Sequence, residues 1–599
     1  MPRRDLGQQW RRATGGQHRR LGVLAASLVV GVAIAAARLI AAPPAPGDPF
    51  VPVTTEMLEH PRPDDWLMYS RTYDAQRFSP LRQITRQNVG QLRMVWSQEL
   101  GTGILESIPL VYRGVMYIIL PGAGVRAVDA ATGERIWEYR REGNVRPKTL
   151  SIYGDLVFYT GPDSTLVALD ARTGAVRWEA KTAGGSTSGS IVVEGMVLTG
   201  RTCAPRRENC YVAAHDAKTG REVWRFYTAA GDDDPGGRTW GGAPEATRVA
   251  STWGLPGSYD PVRRLIYWGI ANPTPNTRLA RHGGNVDAIP TSAPADLYSN
   301  STVALDPDTG RLVWYYQHLP GDDWDEDYTH ERTLLRTAVS PDPRFVKWIN
   351  PAVRRGERRD VAVMVGEGGG LFVLDRGTGQ FLWATPFPYE TRNFIIADID
   401  RRTGAVHLNT DLIFREPGEQ HTLCYWNTRS YWPLAYHPGQ NALYVPYVDN
   451  CLDMTAAAPA KDGRPATPER RVGSRRSGVD IEQFAGVMKI NMSTGEAVPI
   501  YKGRAPGNGA MLATAGDLVF WGDLDGVLRA FDAASGRTLW QTSLPGTIQN
   551  STITYAVGGR QYVAVFTGEG ALTGGLIEQA GITPQRRHDA VYVFALPQS

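Results

Sequence analysis

Val167-Ala168-Leu169-Asp170-Ala171-Arg172-Thr173-Gly174-Ala175-Val176-Arg177-Trp178 is one of six stretches in which Gly follows Asp by four residues and Trp follows Gly by four more. The others are Asp129-Gly133-Trp137, Asp216-Gly220-Trp224, Asp306-Gly310-Trp314, Asp375-Gly379-Trp383 and Asp532-Gly536-Trp540. The alternating apolar run before each Asp, as in Leu166–Leu169 and Ser301–Leu305, reads as a strand, with Asp and Gly making a tight turn. The Trp opens the next strand and packs inward. One four-stranded sheet cannot bury both faces by itself, whereas sheets stacked radially about an axis can, so a unit of about 40 to 50 residues predicts a propeller. Asp129 to Asp170 spans 41 residues and Asp170 to Asp216 spans 46. Wider gaps after that leave room for further units, and worn copies stand at Asp400–Gly404 and Asn491–Gly495. The reading is all-β, an eight-bladed β-propeller, over residues 66–599.

The 65 glycines and 10% aromatic content suit blades that turn on Gly and pack on Trp. A net charge of +3, with no basic stripe, gives no field that would steer nucleic acid, which is excluded as a partner. Arg3, Arg4, Arg11, Arg12, Arg19 and Arg20 precede the apolar stretch Leu21–Ala37 and the small-residue segment Ala41-Ala42-Pro43-Pro44. Residues 1–42 thus read as an export signal, either cleaved or kept as a membrane anchor, and place the body outside the cytoplasm. Residues 43–65 form a Pro-rich lead-in. Four cysteines, Cys203, Cys210, Cys424 and Cys451, fall into two local pairs, which in an oxidising compartment predicts two disulfides. No Cys-x-x-Cys-His stands ready for covalent haem, so any electrons handled here leave to another carrier.

Ring closure needs a terminus to complete the last blade, so strand material at Trp66–Tyr69 or Leu92–Trp96 is expected beside Ala590–Leu596. Three segments break the rhythm: Gly231–Arg248, Pro273–Ala295 and Ala456–Val479, the last reading as a mobile surface loop. Asp322-Asp323-Trp324-Asp325-Glu326-Asp327 is the most acidic run. Five carboxylates in six residues repel one another unless a cation or solvent intervenes, and oxygen ligands at alternate positions suit Ca²⁺ or a similar ion. An acidic surface loop is the plainer alternative. In an extended strand Asp325 and Asp327 would point the same way.

Several stretches together resemble the quinoprotein alcohol dehydrogenases, which use pyrroloquinoline quinone. These are Trp66 with Arg77-Phe78-Ser79-Pro80-Leu81, the run from Ser258-Tyr259-Asp260-Pro261 to Asn272-Pro273, Tyr298-Ser299-Asn300-Ser301 leading into Asp306, Trp324-Asp325, and Leu512–Phe520. The resemblance implies quinone and metal on the propeller axis, with an alcohol or similar hydroxyl compound as substrate. Residue by residue it implies Asp325 as general base and metal ligand, Asn272 as metal ligand, and Asp327 as the further carboxylate that marks lanthanide-using members in place of Ca. Glu106, Lys148, Thr160 and Trp253 fall where the family contacts the quinone, Trp253 as the flat floor beneath the ring. Electrons would pass to a separate acceptor such as a c-type cytochrome or membrane quinone.

The departures are equally specific. No two cysteines are adjacent, so the family's cysteine ring over the quinone is missing. Glu367 stands where Arg or Lys usually polarises the quinone carbonyl, and Lys148 stands where Arg is common. The slot of the family's glutamate ligand holds Pro205, leaving Glu208 as the nearest candidate. These departures keep a second reading open, a non-catalytic exported propeller that serves as a scaffold or interaction protein.

Overall fold

The computed structural model describes residues 50–598 apart from 204–205, 425–427, 430–431, 458–468, 571–572 and 584–588, all within one compact unit, Ala42–Ser599. The expected export signal, residues 1–42, and most of the lead-in's start lie outside the described residues. Among the described residues, no helix is long and apolar enough to cross a membrane.

Eight sheets each contain four consecutively hydrogen-bonded antiparallel strands. In chain order they begin at Leu110, Ser151, Ser190, Ser258, Thr333, Ala435, Leu512 and Thr552 and are called blades 1 to 8. Blade 2 is typical: Ser151–Tyr153, Leu156–Gly161, Thr165–Asp170 and Val176–Lys181. Its inner strands are buried throughout, while its outermost strand is largely exposed. Burial on both faces is what radial stacking requires.

Each repeat has one job at its turn and another at its Trp. Asp170 Oδ1 accepts from the amides of Arg172 and Thr173 at 3.0 Å, and its carbonyl accepts from Gly174 N at 2.8 Å. Gly174 sits at φ +72°, a left-handed conformation that disfavours any side chain. A Cβ there would fall 2.5 Å from the ring of Trp137, which belongs to the preceding blade. The same ring donates from Nε1 to Ala171 O at 3.0 Å. The arrangement recurs: Trp96 covers Gly133, Trp178 covers Gly220, Trp224 covers Gly310 and Trp314 covers Gly379. The Trp therefore packs sideways onto the next blade rather than only inward as the pattern had suggested.

Three other expectations change. The copy at Asp400–Gly404 turns a separate two-stranded hairpin, Ile396–Ile399 with Val406–Leu408, and no blade. Trp66–Tyr69 forms no strand, only a bridge from Trp66 to Val111. Closure is made by the other expected segment, which runs further than Leu92–Trp96, as Arg93–Gly101, and pairs antiparallel with Asp589–Ala595 of blade 8. The described part of the presumed surface loop contains the strand Arg470–Arg475, which joins Asn450–Thr455 and Gln420–Cys424 in a three-stranded accessory sheet. Both disulfides form, Cys203–Cys210 and Cys424–Cys451.

Replacing Gly220 (φ +72°, Cβ 2.6 Å from Trp178) with Ala should cost about 3 kcal/mol, whereas Gly154 (φ +60°, nothing within 4 Å) should cost only about 1 kcal/mol for the backbone alone. Urea denaturation midpoints of the two variants against the parent check the difference, and equal losses would remove the ring-on-glycine contact from the account.

Candidate active site

The acidic run follows blade 4 and is not an extended strand. Asp322 turns back to accept from Trp324 N at 2.7 Å, Glu326 N at 2.8 Å and Asn300 Nδ2 at 2.9 Å. Asp323 accepts from the amides of Arg278 and Phe414 (2.8 Å to the latter) and so ties the run to the neighbouring loops. Both are fully buried, and desolvation raises each to about 6. Two of the five carboxylates thus shape the backbone. Trp324, buried, donates to Leu412 O at 2.8 Å and anchors the turn. The next residue, Asp325, lies at φ +68°, where a non-glycine residue persists only if its surroundings fix it.

Those surroundings begin with Asn272, which follows the blade 4 strand Leu265–Gly269. Its side-chain Nδ2 donates to Asp325 Oδ1 at 2.9 Å, and its backbone N donates to Asp327 Oδ1 at 2.8 Å. The other oxygen of Asp327 accepts from Trp253 Nε1 at 2.8 Å. Desolvation raises the Asp327 carboxyl to about 7, against the lowering effect of these two donors. Asp325 and Asp327 therefore both meet Asn272, one at its side-chain amide and one at its backbone N–H, though the strand geometry expected for the two aspartates is replaced by a left-handed turn. Among the described residues no group of three or more His, Cys, Asp or Glu side chains forms a cage. The polar set here is two carboxylates and an amide whose Nδ2 faces Asp325.

Trp253 links this set to blade 2. Lys148 Nζ lies 5.1 Å from its ring centroid and donates to its carbonyl at 3.2 Å, and Thr187 Oγ1 donates to the same carbonyl at 3.0 Å. Lys148 also pairs with Glu106 at 3.4 Å, both side chains being almost fully buried. Thr160 Oγ1 donates to Ser186 O at 3.0 Å. His330 lies edge-on to Trp253 with centroids 6.5 Å apart, and its Nε2 is 3.5 Å from Glu367 Oε1. Burial lowers the imidazole well below its usual value and, with Asp327 nearby, raises Glu367 well above. Both shifts disfavour the charged form, so burial works against an ion pair between them.

One expected residue stays out. Glu208 lies in the turn Arg207–Asn209 inside the Cys203–Cys210 loop, more than half exposed and paired with Arg206 at 3.5 Å. The Cys203–Cys210 disulfide loop presents this carboxylate to solvent. Sequence reasoning in turn passed over Thr187, Asn276 and Arg471, the last of which lies on Asp325 Oδ2. None of the three carries a local motif.

The sequence model of the glucose/ethanol/alcohol dehydrogenase β-propeller domain matches residues 181–387 and 478–563, and that of the outer membrane protein assembly factor BamB matches 90–225. Quinohemoprotein alcohol dehydrogenase ADH IIB of Pseudomonas putida is 31% identical, over 89% of this chain and 77% of its own. The chain belongs to the quinoprotein alcohol dehydrogenase family. A second relative, quinoprotein alcohol dehydrogenase PedH of Pseudomonas putida, is 28% identical over 91% of this chain and 93% of its own. A europium-containing methanol dehydrogenase superposes with a TM-score of 0.78 at 27% identity, covering 90% of this chain and 100% of its own.

This quinoprotein is a pyrroloquinoline quinone-dependent alcohol dehydrogenase, which sets the scaffold reading aside. The residues present fit the cofactor. Both ring nitrogens of buried His330 and Oε1 of Glu367 have no hydrogen-bond partner among the described residues, next to an indole face and a buried ammonium. Buried polar atoms left so are costly unless a polar ligand meets them. The upward shift of Glu367 favours its protonated form, which offers a tricarboxylate ligand less repulsion than a carboxylate would.

Burial of Asp322 yields a pH signature in the cofactor-free protein. The unfolded chain releases this proton near 3.8 and the folded one holds it to about 6, so ionisation opposes folding progressively across that window. Relative to the parent, Asp322→Asn should gain on the order of 3 kcal/mol between pH 4 and pH 7, read from denaturation curves at each pH. A pH-independent difference would contradict the burial cause.

Proposed function

We propose that this chain is an exported, periplasmic dehydrogenase whose catalytic body is the propeller of residues 66–599. Trp253 would carry the quinone on its ring face, with Lys148 and Thr160 contacting the cofactor's polar edge and Glu106 holding Lys148. Asn272, Asp325 and Asp327 would hold a Ca or lanthanide ion. The observation that supports this most directly is the convergence of both aspartates on Asn272, one on its amide side chain and one on its backbone. When bound, the quinone supplies a two-electron acceptor and the ion supplies Lewis acidity toward it.

The protein's part is then proton and position. Asp325, about a quarter exposed, is the accessible carboxylate of the run and takes the proton of the substrate hydroxyl as general base. Asp327 is buried and raised in pKa, so its ionised form needs a cation, and two carboxylates suit a trivalent ion better than a divalent one. The name of the europium-containing relative agrees with that preference. Electrons leave to a separate acceptor, a c-type cytochrome or a membrane quinone, and the substrate is an alcohol.

Purified protein mixed with pyrroloquinoline quinone and either La³⁺ or Ca²⁺ should bleach an artificial electron-accepting dye on addition of ethanol, faster with La³⁺. Asp325→Asn should retain stoichiometric quinone yet lose about 10³-fold in kcat, the scale of a removed general base. Full activity in that variant, or no dye bleaching with either ion, would sink this assignment.

A further inference from the structure

Asp325 has a second partner that comes from outside the blades. The guanidinium of Arg471 lies on Asp325 Oδ2, the oxygen that Asn272 leaves, so both oxygens of the carboxylate are engaged. Arg471 Nε is 3.4 Å from Glu469 Oε1, and the same Glu469 oxygen accepts from Asn276 Nδ2. Asn276 Oδ1 in turn accepts from Asn272 Nδ2 at 2.8 Å. Asn272, Asp325, Arg471, Glu469 and Asn276 thus close a ring of polar contacts around the carboxylate.

The strand that delivers Arg471 is firmly held. In the accessory sheet Met454 stands opposite Arg471 and Leu452 opposite Gly473, and both apolar residues are buried, so this face is turned toward the protein. A Cβ on Gly473 would fall 1.9 Å from the Gln579 side chain in the helix Thr573–Ala580. Beyond the strand, Arg476 grips Asp449 through two bonds of 2.8 and 2.9 Å, and the Cys424–Cys451 bridge joins the other two strands. A side chain on such a support is aimed rather than free, although a third of Arg471 stays exposed.

We propose that Arg471 is a positioning residue for alcohol oxidation: by engaging Asp325 Oδ2 and closing this ring, it fixes the orientation in which the carboxylate meets the substrate hydroxyl. The left-handed backbone at Asp325 calls for such support, because a non-glycine residue persists in that conformation only where neighbours hold it there. The inference rests on Asp325 being the base. It also gives the accessory sheet, an addition to the blade pattern, a role in the chemistry.

The test uses the full-length, quinone- and ion-loaded enzyme with Arg471→Ala, Arg471→Lys, Asp325→Asn and, as a control on the same strand, Arg470→Ala. Arg471→Ala should lower kcat by about 10- to 100-fold at a KM within about threefold of the parent, Lys should recover most of the loss, and Arg470→Ala should match the parent. A second readout needs no turnover. In the cofactor-free protein, Tb³⁺ luminescence excited through tryptophan should report binding about threefold tighter in Arg471→Ala, because a competing cation has gone, and binding unchanged in Arg471→Lys. If Asp325→Asn is inactive while Arg471→Ala keeps the parent's kcat and Tb³⁺ affinity, the positioning role is overturned; a change in KM alone overturns it as well. Retained activity in Asp325→Asn instead removes the base assignment itself.

Discussion

An indole ring lying flat on the glycine of the next blade's turn is the contact on which this structure depends. Trp96, Trp137, Trp178, Trp224 and Trp314 each fill the space that a Cβ would need at Gly133, Gly174, Gly220, Gly310 and Gly379. The contact does two things at once. It buries a large apolar surface between sheets that could not bury both faces separately, and it fixes the spacing between neighbours, because ring thickness sets how close the turn approaches. With Nε1 bonds such as Trp137 to Ala171 O at 3.0 Å, the contact registers blades 1 to 5 on the blade before each, while Val346 and Ile500 take the place of the ring at Gly495 and Gly536. That leaves the connections between strands to carry the site, and Lys148, Trp253, Asn272 and His330 all lie in such connections.

At the candidate site, burial is the governing electrostatic term. Asp322, Asp323 and Asp327 are all raised chiefly by desolvation, and backbone amides recover only part of what water gave. Asp322 and Asp323 spend that cost on local shape, whereas Asp327 faces Trp253 and Asn272. Glu367 follows the same logic. A carboxylate where a basic side chain was expected looks hostile to an anionic cofactor, but burial against His330 shifts it toward its protonated, uncharged form. The cation near the base arrives on Arg471, from a different part of the chain.

Much of the fold was legible because the Asp-Gly-Trp pattern is local: turn, left-handed glycine and following Trp all lie within nine residues. The pattern misled at Asp400–Gly404, where the same turn chemistry closes a short hairpin; turn residues report a turn, not what the flanking strands pair with. Asn272, Asp325 and Asp327 were legible as candidates through resemblance, yet the expected extended strand was not formed, because Asp322 and Asp323 draw the backbone into amide-capped turns. Glu208 failed for want of any sequence sign that its disulfide loop faces outward. Arg471 could not have been found, since it meets Asp325 across 146 positions of chain through a sheet whose pairing has no short-range signal.

Closure of the ring by Arg93–Gly101 against Asp589–Ala595 has a further consequence for biogenesis. In N-to-C order the first seven sheets can emerge and stack, but the eighth lacks a middle strand until Asp589–Ala595 has been made. An open arc exposes two unpaired edges and leaves its axis wet. Cofactor capture is thereby coupled to the arrival of Asp589–Ala595, and a chain terminated before that strand would be an aggregation-prone fragment rather than a partly working enzyme.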